Sequence, residues 1–494
     1  MASGKDRRYK MMLKERDAKM TKFHSTVSRR EFMKRLGLIS AGLGTAAAIS
    51  PIRHDIDELI STPEGGRKLP WYIKEREFDN PSVEIDWTLQ RGFDQRNYRQ
   101  NASKMAEWGA LTKKVSLEAL RNNVPGNTLK DHAFVDAFHR SGLDGPWSVP
   151  ERTFFVSQIN RAADGIPAWQ GSPEENFKMC ASAVHYFGGR EITALQISNN
   201  SRKIFCTNDA TGKPYTFEDI DEPYSTDTKA LAVPNKCQWV LVWSSPQSMI
   251  TKVNHSVLAK ASVFHAYSAA MDVRKRVQYF IRGLGYQAIG GDYAAKNVAT
   301  NTGLGVLSGG AELGRVDYAV TPKFGALMRG SYYIVTDLPL SPTKPIDMGI
   351  WRFCQTCKLC AGACPGSALS VANEPTFDLT GNWNGPGRKC YHIDYSKCWR
   401  LIFDVGLSDA GPGGCNNCQT ACVFSKMQEA TIHELIKGTV AATPVFNTFF
   451  RNMDSAFGYG KGWVTPNGEI IENPEDVFWN RNLEDSPSGG TVIR

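Results

Sequence analysis

Residues 354–365 read CQTCKLCAGACP, four cysteines in eleven residues with a proline closing the run. Soft thiolates at C-x2-C-x2-C-x3-C-P spacing can wrap the corners of an iron-sulfur cube, and in two-cluster ferredoxins the fourth cysteine of such a run reaches across to the other cluster. A second set is therefore expected downstream. Cys398, sixteen further residues, and then CNNCQTAC supply it, with Cys415, Cys418 and Cys422 at x2 and x3 spacing. Crossing the two sets assigns Cys354, Cys357, Cys360 and Cys422 to cluster one and Cys364, Cys398, Cys415 and Cys418 to cluster two.

Dense cysteine also suits a zinc site or a disulfide framework. Zinc ribbons pair C-x2-C knuckles and stop at four ligands, whereas here a three-step run ends in Cys-Pro and a second run follows. Two 4Fe-4S clusters fit the pattern better. Cys390 stays open as an alternative to Cys398; Cys398 is favoured because it lies nearer the second run, while Cys390 sits in a basic turn, GRKC. Cys180, Cys206 and Cys237 are isolated and read as buried apolar thiols.

The chain has 494 residues, 41% of them hydrophobic, which is material for roughly two to four domains. A cluster module needs far fewer, and roughly three hundred residues remain, enough to house an active site. The surplus points to an enzyme.

Ser28 to Lys34 reads SRREFMK and, after Arg35, gives way to LGLISAGLGTAAAIS. This is the pattern of a twin-arginine export signal, its apolar part too short to span a bilayer. A basic amphipathic helix is the other reading, but the apolar run shows no helical face. Export by this route suits a protein that loads its cofactors before it leaves the cytoplasm.

Charge follows the same division. Of 58 Lys/Arg and 50 Asp/Glu, twelve and four lie in residues 1–48, leaving 46 of each for the rest. The net +8 belongs to the leader, so nucleic-acid binding has no support from charge. No later apolar run is long enough to cross a membrane; the best, CQWVLVW from Cys237 to Trp243, is strand-sized.

Along the chain, residues 1–48 form the signal region and 49–149 an N-terminal region of short helical patterns and Pro- and Asn-rich turns. Over 150–340 helical stretches such as NFKMCASAVHYFGG and SVFHAYSAAMDVRKRVQYFIRGLGY alternate with the strand-like ALQIS and WVLVW, an α+β pattern. The cluster module occupies 341–430, after the turn-forming LPLSPTKP, and the tail, 431–494, is expected to pack back on the core. NTGLGVLSGG, with Gly303, Gly305 and Gly309, misses the dinucleotide fingerprint and reads as turns or a close backbone approach.

The twin-arginine leader, VPN at Val233 to Asn235, FIRGLGY, TDLPLSPTKPIDMGI, the cysteine run, DYSKC and the late FGYG together resemble the respiratory reductive dehalogenases of organohalide-respiring bacteria. The likeness runs over nearly the whole chain, and the linker and cluster block are its most specific parts. It implies a base-off corrinoid (a cobamide) in a nitroreductase-like domain, followed by a bacterial ferredoxin-like module with two 4Fe-4S clusters. The chain contains no D-x-H-x-x-G stretch of the kind that supplies a lower-ligand histidine to cobalamin. The resemblance further implies respiratory electron donors and a small integral-membrane protein anchoring the enzyme, as a peripheral protein, to the outer face of the cytoplasmic membrane.

It also implies two catalytic side chains. The family's proton donor matches Tyr267 in HAYSAA, and the basic residue that follows its P-x-F-G turn matches Arg329 in TPKFGALMR. Taken alone, Tyr267 would pass for amphipathic core and Arg329 for a surface arginine. A guanidinium beside the phenol would favour the phenolate and help a departing halide. The sequence departs from the family near AIGGDY, where Tyr293 or a neighbour stands in place of an asparagine, and at Val423, which follows Cys422 instead of proline. The insert WRLIFDVGLSDAGPGG is long and is a candidate pocket wall. The expected reaction is replacement of halogen by hydrogen in a small organohalide, driven by cobalt reduced to Co(I) through the clusters. Two other classes compete: a non-catalytic two-cluster electron carrier, which the large upstream domain disfavours, and an epoxyqueuosine-reductase-like corrinoid enzyme, which the leader disfavours. Which organohalide is used is not written in the motifs, because specificity resides in pocket shape.

Overall fold

The computed structural model describes residues 69–99, 102–129, 131, 154–155, 167–247, 257–291, 297–404, 415–426, 431–456 and 479–480. The export signal, Tyr293, residues 405–414 of the insert and the FGYG stretch lie outside the described residues.

In chain order, β1 (Lys74–Glu75) and helix α1 (Ala102–Arg121) precede α2 (Pro173–Phe187) and β2 (Arg190–Gln196). A parallel pair, β3 (Tyr215–Glu218) and β4 (Leu231–Pro234), leads to β5 (Trp239–Pro246), the long α3 (Val257–Gly283) and β6 (Ile289–Gly290). Next come α4 (Asn301–Leu307), the hairpin β7 (Glu312–Leu313) and β8 (Ala319–Val320), β9 (Met328–Thr336) and β10 (Ile346–Asp347). The cysteine-bearing part holds α5 (Ile350–Cys357), α6 (Leu359–Gly362), α7 (Tyr395–Asp404) and α8 (Asn417–Thr420), and is followed by α9 (Thr431–Ala442) and α10 (Asn447–Ala456).

The architecture is mixed α and β. Its centre is an antiparallel sheet in the order β2-β5-β9-β6, with Val240 opposite Val335 and Leu241 opposite Ile334. Successive strand residues point to opposite faces. Accordingly Leu241, Trp243, Tyr332 and Ile334 join one core with α2 and α3, while Val240, Val242, Tyr333 and Val335 join another with α4 and the β3–β4 pair. A strand covered on both faces reads as an unbroken apolar run, which is why WVLVW shows no alternation.

The two helices on the first face carry their boundaries in the sequence. Ser172 caps α2 by accepting from the Glu175 amide at 3.2 Å, Pro173 opens it, and Gly188 ends it at φ +114. These are the side chains a helix start and stop require. In α3, Phe264, Tyr267, Met271, Val277 and Ile281 form a stripe at helical spacing against the sheet.

The expectation of turns at NTGLGVLSGG is corrected: Asn301–Leu307 is helical, and only Gly309, at φ +79, is left-handed. Glycine lowers helix propensity, but the packing demands it here. A Cβ on Gly305 would stand 2.1 Å from Ser331 Oγ of β9. The close approach is to the sheet, and tertiary contact outweighs local propensity.

Around α5 a separate core gathers Ile350, Phe353, Ile393, Val423 and Phe424 with Tyr72 and Ile73 near β1, and with Val316, Val320 and Ala326 from around the β7–β8 hairpin. Val440 and Ala441 of α9 and Phe450 of α10 close it. Among the described residues no helix is long and apolar enough to cross a membrane.

Candidate functional site

Cys354 and Cys357 lie on α5 and Cys360 on α6, with Lys358 between the helices in the left-handed region at φ +56. Cys398 lies on α7, Cys418 on α8, and Cys415 and Cys422 flank α8. The electrostatic neighbours of each thiol show how they group. Burial first, then Cys422 and Cys357, push Cys354 up; burial, then Cys354, Cys422 and Cys357, do the same for Cys360. Cys398 is raised by burial and then by Cys418, Cys415 and Cys364, while Cys415 is pushed to about 11 and Cys418 to about 12, burial first in both.

The eight thiols thus form two crossed groups of four. Cys360 also feels Cys418, so the groups are adjacent. Thiols this buried and this close resist ionisation on their own. A cationic centre that took them all as thiolates would reverse that balance, and four sulfurs per group is a donor set that an iron-sulfur cluster can use. Cys390 stands apart: its thiol faces Asp317 and His392.

Two buried charges hold the first group in place, and neither was picked out from the sequence. Glu312 of β7 accepts from the amides of Met348 at 2.7 Å, Ile350 at 3.1 Å and Trp351 at 3.2 Å, and from the Ser82 hydroxyl at 2.6 Å. Its carboxyl thereby caps the start of α5, where a negative group suits the helix dipole, although burial pushes its pKa up. Arg315, 1% exposed, donates to the carbonyls of Cys354 and Gln355 near the end of α5 and to those of Ser370 and Ala372, and stacks 3.6 Å from the Tyr391 ring. A planar fork with five donors is suited to such a cluster of carbonyls. The only hint in the sequence is two charges, Glu312 and Arg315, inside the small-residue stretch GGAELGRV.

Arg329 ties the cysteine groups to the sheet. It stands at the start of β9, half-buried, with its guanidinium carbon 5.7 Å from the centre of the Tyr267 ring and Nη2 donating to Asn416 Oδ1. Its charge also pulls down the thiols of Cys398, Cys415 and Cys418. One side chain therefore faces the phenol and the second cysteine group at once. Tyr267 itself is 8% exposed on α3 within the apolar core.

The register between these parts depends on Gly325, at φ +60, where a Cβ would fall 2.3 Å from the backbone of Phe424 and Ser425. The Ser425 hydroxyl accepts from the Ala326 amide at 3.0 Å and fixes the same contact. No side chain other than hydrogen allows that approach, so the P-x-F-G turn presses the start of β9 against the segment that follows Cys422.

Buried amide oxygens collect nearby. Asn417 Oδ1 and Gln419 Oε1 of α8 and Asn301 Oδ1 of α4 have no hydrogen-bond partner among the described residues. Gln419 reaches Met328 through its other atom at 3.4 Å, and Asn301 lies against Gly330. Buried polar atoms without partners are rare and call for one. A cleft of about 420 Å³ lined by Arg76, Glu84, Asp347, Arg352 and Lys389 among others includes neither Tyr267 nor a cysteine.

A family model described as reductive dehalogenase subunit matches residues 68–340. The chain is 31% identical to the chloroethene reductive dehalogenase of Dehalococcoides mccartyi (strain VS), over 89% of this chain and 96% of that protein. It is 30% identical to the trichloroethene reductive dehalogenase of a second strain of that species, over 92% and 98%. A solved reductive dehalogenase structure, described as suggesting a mechanism for B12-dependent dehalogenation, superposes with a TM-score of 0.54 at 18% identity, covering 78% of this chain and 49% of that one. The chain thus spans about half the length of that structure, and the likeness is one of fold.

Proposed function

The chain belongs to the reductive dehalogenase family, and from that premise we propose that it replaces a halogen of a small organohalide by hydrogen as the terminal reductase of anaerobic organohalide respiration. In this reading 150–340 is a nitroreductase-like domain holding a base-off corrinoid, and 341–430 a ferredoxin-like module holding two 4Fe-4S clusters. The observation that carries it is Arg329, whose guanidinium faces both Tyr267 and the second cysteine group.

The residues present fit the two groups. Each crossed set supplies four thiols, as a cubane cluster needs. The partnerless amide oxygens of Asn301, Asn417 and Gln419 lie around the start of β9, where a corrinoid, rimmed with amide N–H groups, would satisfy them. When bound, the corrinoid supplies a strongly reducing cobalt and the clusters its electrons. The chain's own part is to deliver one proton and to stabilise charge. Carbon loses halide, gains hydrogen, and the balance is two electrons and one proton.

Tyr267 Oη donates that proton. The Arg329 guanidinium stabilises the phenolate left behind and, with its fixed charge, the departing halide. Trp243 and Tyr332 stack at 6.5 Å within the same apolar core as Tyr267. With Cys360 beside Cys418, clusters held by the two cysteine groups would be neighbours, and the second would lie beside Arg329.

The leader supports export by the twin-arginine route, and attachment at the outer face of the cytoplasmic membrane falls to a small membrane protein. Because the full-length relatives are named for chloroethene and trichloroethene, chlorinated ethenes head the substrate screen. The test is chloride release and formation of the less chlorinated ethene by anaerobically matured protein with a low-potential reductant. Turnover only in protein that contains cobalt supports the proposal; equal turnover without cobalt overturns it.

A further inference from the structure

We propose that Asp317, Cys390 and His392 form a third metal site, separate from both cysteine groups, that takes a zinc ion. Their donor atoms, one carboxylate oxygen, one sulfur and one imidazole nitrogen, all lie within 4.8 Å of one another. The side chains are 7%, 0% and 3% exposed. Cys390 Sγ is 3.7 Å from Asp317 Oδ1 and 3.4 Å from His392 Nδ1. Zinc bonds sulfur at about 2.3 Å and nitrogen or oxygen at about 2.0–2.2 Å, so adjacent donors of a tetrahedral site stand about 3.5 Å apart. The two separations that involve Cys390 Sγ are already close to that spacing.

The surrounding bonds orient the donors as a metal requires. Both ring nitrogens of His392 stand near Cys390 Sγ, Nδ1 at 3.4 Å and Nε2 at 3.6 Å; with Nε2 donating to the Arg388 carbonyl at 3.2 Å, Nδ1 is the nitrogen that would bind the ion. Asp317 Oδ2 accepts from the Ile393 amide at 3.3 Å, and Oδ1, which faces Cys390 Sγ at 3.7 Å, is the oxygen an ion would take. Asp317 adopts φ +56, a conformation a non-glycine residue holds only where its surroundings impose it. Arg388, whose Nη2 lies 3.8 Å from Asp317 Oδ1, keeps its side chain 24% exposed and sits at the rim. A set of one thiolate, one imidazole and one carboxylate is borderline in softness and suits zinc rather than an all-sulfur iron centre.

The place in the fold gives the site a purpose. Asp317 belongs to the β7–β8 turn, whose Arg315 anchors the end of α5; Cys390 and His392 lie just before α7, the helix that carries Cys398. A zinc ion here clamps the second cysteine group to the turn that already holds the first. It also gives Cys390 a place outside the clusters.

Metal analysis of anaerobically matured protein, supplied with iron and zinc and dialysed against EDTA, tests this without any activity assay. About one zinc per chain is expected, with a zinc absorption edge fitted by one sulfur near about 2.3 Å and nitrogen or oxygen neighbours near about 2.0 Å. His392→Gln should lose the zinc and Cys180→Ser should retain it. Wild-type protein without zinc, zinc in an all-sulfur environment, or zinc retained by the folded His392→Gln variant overturns the proposal. The wild-type measurement decides the matter even if the variant fails to fold.

Discussion

In the sheet, the residues most deeply removed from water are Val240, Leu241, Ile334 and Val335; around the cysteine module, Arg315 and Glu312 are each 1% exposed, and Cys354 and Cys360 are buried as well. The first region is held by apolar burial, worth about 25 cal/mol per Å² and indifferent to what else is bound. The second buries charges and thiols, which are costly unless every one is matched. Arg315 and Glu312 are matched by backbone groups, and under the proposed function the thiols would be matched by the ions of two clusters. The sheet therefore sets the position of Tyr267 independently of cofactor, while under the proposed function the module's order and its redox role would rest on the same metal binding.

That contrast can be broken most directly at Cys418. Cys418→Ser removes a ligand of the second group, and turnover should fall to the reductant background with loss of about four of about eight iron atoms per chain. Iron analysis and electron paramagnetic resonance check this; loss of the first cluster's signal instead would reverse the crossed assignment. Next in size, Tyr267→Phe should cut turnover about 10²- to 10⁴-fold with iron content unchanged, since it removes only the proton. Unaltered steady-state rates would remove Tyr267 from the mechanism.

Two changes in the sheet domain sharpen the other side of the comparison. Leu241→Ala leaves a cavity at the centre of β5 and should cost about 2–5 kcal/mol of stability, read by denaturant unfolding, with iron stoichiometry intact below the transition. A parallel loss of iron would show that the two regions fold as one unit. Ser172→Ala removes the cap of α2 and should cost about 1 kcal/mol with no effect on metal content or turnover.

The same contrast explains what could be read from residues alone. The cysteine runs could be read as ligand sets because ligand spacing is local, and α2 was legible because Ser172, Pro173 and Gly188 mark its ends. WVLVW announced a strand but not its place, since a run covered on both faces has no alternation to show which side is which. The helix at Asn301–Leu307 was missed because Gly305 answers to a neighbour distant in sequence, Ser331. Glu312, Arg315 and the Asp317–Cys390–His392 set were missed for a related reason: their partners lie tens of residues away, and no spacing rule joins them. The nearness of Arg329 to Tyr267 came from a family resemblance and has no local signature, yet it joins the two regions.

Iron and cobalt content of the anaerobically matured chain, supplied with corrinoid, tests the central claim most directly. The account expects about eight iron atoms, as two cubane clusters require, and about one cobalt per chain. The same iron without cobalt, in well-folded protein, would make the chain an electron carrier and Tyr267 an ordinary core tyrosine.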